Sequence, residues 1–264
     1  MPLVSVRPSH VKAWTAKLRA EGLSDSYVYR LHGRLGQLFS DAVHDGIIPR
    51  SPCSRRTSPG QARQRPFVAT TDLVWSLYDM FPARLRVAVL LGAFAGLRSA
   101  EACGLRVADV DFMRGVVRPT VQYPAEPLKS ETSRTPVPIP LSIAAELSAH
   151  VAQWRAEWLL VNDIGRQLSP TSLEVAMRVA RDKVPGLPAG FRFHDLRHYF
   201  ASLLIASGMD VKVVQARMRH ASAKTTLDTY GHLWPDSDDT TRAAIDAVLS
   251  ARADNQRTVE GDSA

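Results

Sequence analysis

The chain has 264 residues, 45% apolar and 22% charged, with 17 prolines and 15 glycines. It is long enough to bury one large core or two ordinary ones, and this composition excludes a small disulfide-stapled module, a fibrous repeat and wholesale disorder. The formal charge of +7 sits wholly in residues 1–66, where 11 Lys/Arg face 4 Asp/Glu, leaving 22 of each sign in residues 67–264; a small basic unit ahead of a balanced one points to a polyanionic partner, nucleic acid rather than a membrane surface.

The first helical pattern opens at Ser9, a candidate N-cap, with Val11, Trp14 and Leu18 on one face. A longer one follows Ser24, where Val28, Leu31, Leu35, Leu38, Phe39, Ala42 and Val43 recur every three or four residues and Gly46 supplies a stop. The opposite faces of this pair present Lys12, Lys17, Arg19, Arg30 and Arg34 to solvent or to phosphates. Between Gly46 and Thr71 come Arg50, Arg55, Arg56, Arg63 and Arg65, four prolines and no acid, the pattern of an extended basic linker that either tracks a phosphate backbone or is simply solvated.

Helical patterns then cover about 71–80, with Thr71 or Thr70 as cap, 83–94 and 98–105. The period changes at Val107–Phe112 and Val116–Tyr123, two short strands around Met113-Arg114-Gly115, with Thr135–Ile139 a third strand broken by prolines. Helices resume at about 142–160, 170–184, 193–206, 210–217, 222–231 and 239–251, and the polar residues 253–264 read as a frayed end. The longest nearly uncharged apolar stretch, Val87–Leu97, is 11 residues, short of the ~20 that span a bilayer. Two cysteines without a Cys-x-x-Cys pair, and no signal-peptide core at the N-terminus, fit a cytoplasmic protein.

Four polar groupings stand out in chain order. Gly96-Leu97-Arg98-Ser99-Ala100-Glu101 places an arginine at the start of a helix, with Glu101 able to orient its guanidinium or merely to pair on the surface. Lys129 lies in a polar loop between strand-like segments. His194-Asp195-Leu196-Arg197-His198 opens a strong helix with His194 and Arg197 one turn apart, a pair that could grip a phosphate at a helix N-terminus. His194 and His198 are also spaced for a metal, but no Glu follows His194 and no third ligand is evident. Finally His220 precedes a helix with Tyr230 ten residues on.

Together these resemble one family, the tyrosine recombinases or phage-type integrases. Their signature is an arginine in a Gly-Leu-Arg-x-x-Glu box, a hairpin lysine, a His-x-x-Arg box, a second His or Trp, and a tyrosine about ten residues further. Arg98, Lys129, His194, Arg197, His220 and Tyr230 match in that order over 133 residues, with Glu101 and His198 in support. The resemblance covers about 67–252 strongly and 7–52 more weakly. It departs before the second histidine, where the family usually has Leu-Gly and this chain has Met218-Arg219; glycine at such a turn usually permits a left-handed backbone.

The resemblance implies a mainly helical α+β protein with a small antiparallel sheet, built as a two-domain clamp on duplex DNA. Residues 1–52 would be a helical, SAM-like core-binding domain, shorter than usual, followed by a linker over 53–66, a catalytic domain over 67–234, and a C-terminal helix and tail over 235–264. Lys12, Lys17, Arg30, Arg34, Arg55, Arg56, Arg63 and Arg65 would contact DNA. The implied activity is site-specific recombination for a mobile element, through a 3′-phosphotyrosyl intermediate on Tyr230, with no cofactor and no metal. Arg98 and Arg197 would neutralise the phosphate, His194 would assist Tyr230 as base or hydrogen-bond partner, Lys129 would protonate the leaving 5′ oxygen, and His220 would donate to the phosphate. The implied partners are double-stranded DNA, a homotetramer on DNA in synapsis, and DNA-bending or directionality accessory proteins, with no membrane and a nucleoid-associated location. The rival readings are a catalytically impaired DNA-binding member of the family, a type IB topoisomerase-like relaxing enzyme, and a metal nuclease using His194 and His198.

Overall fold

The computed structural model describes residues 1–60, 66–234 and 242. It divides into two compact units, residues 1–65 and residues 66–264.

The first unit is a helical pair. Helix α1 (Pro8–Ala20) begins one residue ahead of the expected Ser9 cap, because proline suits a first turn, where its missing N–H has no helical partner to lose. Its cap is Arg7, whose main-chain N–H donates to His10 Nδ1 at 3.2 Å. Helix α2 (Asp25–His44) opens at the expected Ser24 and ends before Gly46, which takes φ +71°. Val28, Phe39 and Ala42 are buried, while Leu38, expected on the same stripe, is 66% exposed. Lys12, Lys17, Arg30 and Arg34 all face solvent.

Residues 53–60, expected within the linker, are folded against α2. Thr57 Oγ1 donates to Ser54 O (3.0 Å) and accepts from Ser54 N–H (2.8 Å), so it meets buried His32 Nε2 (3.0 Å) as an acceptor from the ring N–H. A basic, proline-rich composition carries no sign of such a tether, since one threonine finding one buried histidine is a tertiary event. Arg55 and Arg56 are exposed; Arg63 and Arg65 lie outside the described residues.

The second unit begins with α3 (Thr71–Met80), capped by Thr70 rather than Thr71, through Leu73 N–H to Thr70 Oγ1 at 3.3 Å. Helix α4 (Arg86–Ala95) is buried almost throughout and ends at Gly96, φ +59°; α5 (Ser99–Cys103) follows at once. The expected hairpin is present in shortened form. Strands β1 (Val110–Asp111), β2 (Val116–Val117) and β5 (Val137–Pro138) form one antiparallel sheet in the order β1-β2-β5, with Val110 opposite Val117 and Val117 opposite Val137. Strands β3 (Val121–Gln122) and β4 (Glu126–Pro127) form a separate two-stranded hairpin, where an unbroken strand through Tyr123 was expected.

Helix α6 (Leu141–Trp154) stops six residues short of the expected end: Arg155 turns left-handed at φ +39°, and the chain returns to pair Leu159 N–H with Leu105 O at 3.0 Å. Helices α7 (Pro170–Arg181), α8 (Phe193–Ala206), α9 (Val211–Arg217) and α10 (Ala223–Tyr230) follow the expected periodicity. The expected helix at 239–251 and the tail at 253–264 lie outside the described residues.

What places the site is the packing of α4 on α8. A Cβ at Gly92 would sit 3.0 Å from Leu196 Cβ, and one at Gly96 would sit 2.5 Å from the Phe200 ring. Two glycines one turn apart thus let α8 approach closely, which brings Arg197, between Leu196 and Phe200, against the end of α4.

Candidate active site

Gly96 is the hinge of the arrangement. Its carbonyl, left without a helical partner by the turn into α5, accepts from Arg197 Nη1, while Arg197 Nη2 donates to Met218 O. Arg197 is only 2% exposed. Of its five N–H groups these bonds use two, so donors remain for a ligand. On the other side of Gly96, Arg98 caps α5. Glu101 Oε2 accepts from the Arg98 main-chain N–H (2.9 Å) and Glu101 Oε1 from its Nη1 (2.8 Å), with Ser133 Oγ 3.4 Å away. The Arg98 side chain stays 40% exposed, and its Nη2 has no partner among the described residues. The two guanidiniums therefore share one neighbourhood, linked through Gly96 and Glu101.

A third arginine completes the cluster. Arg219, at the position of the family's usual glycine, does take the left-handed backbone, φ +52°. Its side chain turns inward, and the residue as a whole is 2% exposed. Nη2 donates to Glu101 Oε2 (2.7 Å) and Gly96 O (3.2 Å), and Nη1 to Ser133 O (3.3 Å). Burial would raise the Glu101 pKa, but Arg219, then the N–H and guanidinium of Arg98, outweigh it and hold the carboxylate below its usual range. Sequence reasoning registered Arg219 as a missing glycine; that its side chain would be an internal partner of Glu101, 118 residues away in sequence, had no local signal.

Tyr230 ends α10 and is 2% exposed, packed with Phe200, Ala201, Ile205, Val214 and Met218. Its hydroxyl lies 2.7 Å from His198 Nδ1. His194, the expected partner, is one ring further out: its ring meets His198 edge-on at 5.0 Å, and His198 in turn meets Tyr230 at 5.6 Å. The reason is helical geometry. Position 198 is one turn further along α8 than 194, level with the end of α10 where the tyrosine emerges. His220 lies parallel to the Tyr230 ring at 6.4 Å and is fixed by Thr226 Oγ1, 2.9 Å from its Nδ1.

Electrostatics set the protonation states. Burial pushes the Tyr230 phenol up to about 12, against a smaller opposing pull from Arg197. His198 is pushed down to about 4 by burial, then by His194 and Arg197, and His220 to about 4 by burial, then by Arg197 and Arg98. His194 moves in the same direction, through lost hydration and then Arg197. At neutral pH the phenol of Tyr230 and the imidazole of His198 are therefore both uncharged, joined by the short contact between the hydroxyl and Nδ1.

Lys129 stands apart. It follows β4, is exposed, and makes no hydrogen bond or ion pair among the described residues. Its segment is nonetheless anchored at the site, because Leu128 is buried and Ser133, four residues on, contacts both Arg98 and Arg219. Among the described residues no three His, Cys, Asp or Glu side chains converge as metal ligands, and no helix is long and apolar enough to cross a membrane.

The site thus sets two arginines and a tyrosine on a mainly helical unit with small antiparallel sheets. The phage integrase family matches residues 70–236, well over half of the chain, and the chain belongs to that family, the tyrosine-type site-specific recombinases. It is 27% identical over 239 residues to the tyrosine recombinase XerC of Pseudomonas syringae pv. syringae, covering 85% of this chain and 75% of that one. It is 27% identical over 260 residues to the ICEBs1 integrase of Bacillus subtilis, covering 88% and 68%. In fold it is similar to the Tn1549 transposon integrase in complex with transposon right end DNA, with a TM-score of 0.80 at 20% identity, covering 94% of this chain and 87% of that one.

Proposed function

We propose that this recombinase is the integrase of a mobile element, cutting and rejoining duplex DNA through a covalent 3′-phosphotyrosyl bond to Tyr230. The observation that carries the reading is the gathering of Arg98, Arg197, His198, His220 and Tyr230 around Gly96 and the start of α8. A phosphodiester repels nucleophiles by its charge. Free N–H groups of Arg98 and Arg197 would bind its nonbridging oxygens and neutralise charge that grows in the transition state.

Attack forms the bond from the Tyr230 oxygen to phosphorus and breaks the bond from phosphorus to the 5′ oxygen. The phenol proton passes to a neutral imidazole. His198 holds the hydroxyl in the resting site, and His194 is the second imidazole in reach of the same path. The leaving 5′ oxygen takes a proton from the Lys129 ammonium, whose unpinned side chain is free to turn toward it. His220 donates to the phosphate. One phosphoester replaces another, so the 5′ hydroxyl of a second strand reverses the step without an external energy source.

The gap between a phenol near 12 and an imidazole near 4 keeps the proton on Tyr230 until DNA arrives. Burial does most to depress His198, with His194 and then Arg197 adding to it; a bound phosphodiester offsets the Arg197 charge, which makes nucleophile activation depend on substrate. Partners under this reading are double-stranded DNA, further copies of the chain forming a tetramer in synapsis, and DNA-bending or directionality proteins. Lys12, Lys17, Arg30, Arg34, Arg55 and Arg56 offer exposed positive charge to the DNA backbone. The test is a nicked suicide duplex containing the element's own end sequence. Wild-type protein gives a denaturation-resistant protein–DNA adduct and Tyr230→Phe gives none; an equal yield from both rules out Tyr230 as the nucleophile.

A further inference from the structure

The motif boxes leave out a charged residue of the cluster that is as buried as Arg197. We infer that Arg219 is a positioning residue for phosphate binding: it neutralises and orients Glu101, so that Arg98 keeps an outward-facing, undiminished positive charge beside Arg197. The inference rests on the recombinase reading only in taking the ligand to be a phosphodiester.

Glu101 faces two demands. It must steer Arg98, which it does with Oε1 on Nη1 and Oε2 on the main-chain N–H. A carboxylate paired so closely would also cancel most of that arginine's attraction for an anion. Arg219 resolves the conflict from behind. Its side chain is 0% exposed and that of Glu101 is 3% exposed, against 40% for Arg98, so the buried pair lies inside and the free guanidinium edge points outward. With three guanidiniums and one carboxylate the cluster carries two net positive charges; with glycine at 219 it would carry one. Arg219 also donates to the Gly96 carbonyl that receives Arg197, and to the Ser133 carbonyl whose hydroxyl meets Arg98 Nη1, so it ties together the supports of both phosphate-facing arginines. A non-glycine residue at φ +52° is unusual backbone, and this side chain's three acceptors account for its persistence.

The variants are Arg219→Gly, which suits the left-handed backbone, Arg219→Lys, which keeps the charge, and the double variant Arg219→Gly with Glu101→Gln, which removes the unbalanced carboxylate. The first readout, independent of cleavage, is the affinity for inorganic phosphate from ³¹P line broadening. Arg219→Gly weakens it at least fivefold, and the double variant recovers at least half of that loss. The second readout is single-turnover adduct formation on the suicide duplex, where Arg219→Gly lowers the maximal rate tenfold or more, the double variant restores part of it, and Arg219→Lys falls between. A purely structural arginine predicts instead that the double variant is no better than Arg219→Gly. Unchanged phosphate affinity in Arg219→Gly, in protein that unfolds cooperatively, overturns the inference whether or not the wild type cuts DNA. Should the wild type form no adduct while phosphate binding responds as stated, the recombinase chemistry fails and the role of Arg219 stands.

Discussion

Replacing Gly96 with alanine strains the backbone and the packing at one atom. The backbone sits at φ +59°, a region that costs a residue with a Cβ roughly 1–2 kcal/mol. The new methyl would lie 2.5 Å from Phe200 Cδ1 and 2.9 Å from Cε1, inside van der Waals contact with a ring that is itself 6% exposed and hemmed in. Overpacking of that kind costs about 1–3 kcal/mol. The total is roughly 2–5 kcal/mol, less a gain of under about 1 kcal/mol from the stiffer unfolded chain. Gly208 supplies the internal control: it follows α8 at φ +78°, and a Cβ there meets nothing within 4 Å, so alanine brings only the backbone part. In calorimetry of the intact chain, at about 2–4 °C per kcal/mol for a unit of this size, Gly96→Ala lowers the transition of the 66–264 unit several degrees further than Gly208→Ala. Adduct formation falls with it, because the displaced carbonyl serves Arg197 and Arg219 together. Equal melting temperatures for the two variants would refute the close approach of α4 and α8 on which the site is built.

Three further outcomes are expected. His198 and His220 have folded pKa values near 4 against 6.5 for the free side chain, so the unfolded chain binds more protons between those limits; their contribution is fully present above pH 6.5 and is lost as the pH falls toward 4. The melting temperature of the 66–264 unit therefore drops across that window, and a His198→Gln chain with the same slope would remove His198 from the account. In the first unit, Thr57→Val strips buried His32 of its acceptor at a cost of about 1–3 kcal/mol, seen as faster proteolysis within residues 53–66 under native conditions; unchanged cleavage would mean that the tether is not formed in solution. Adduct formation on the suicide duplex continues in EDTA, since under the proposed mechanism the positive charge at the phosphate comes from Arg98 and Arg197; its abolition would favour the metal-nuclease reading of His194 and His198.

The sequence alone determined most helix positions and pointed to most of the residues that converge at the candidate site. Apolar residues every three or four positions, with Ser24 and Gly46 as punctuation, are local signals whose physics acts within one or two turns, and α2, α7, α8, α9 and α10 follow them closely. Arg98, His194, Arg197, His220 and Tyr230 were legible because their boxes are short and come in a fixed order. Only the tertiary structure decided who touches whom. His198 rather than His194 reached the Tyr230 hydroxyl because that depends on where α10 ends against α8, and residues 53–60 left the linker because Thr57 found His32. Arg219 became an internal counter-charge because Gly96, Glu101 and Ser133 converge from separate segments. Periodicity encodes which face a residue occupies, but a buried ion pair between positions 101 and 219 exists only once the core has closed around it.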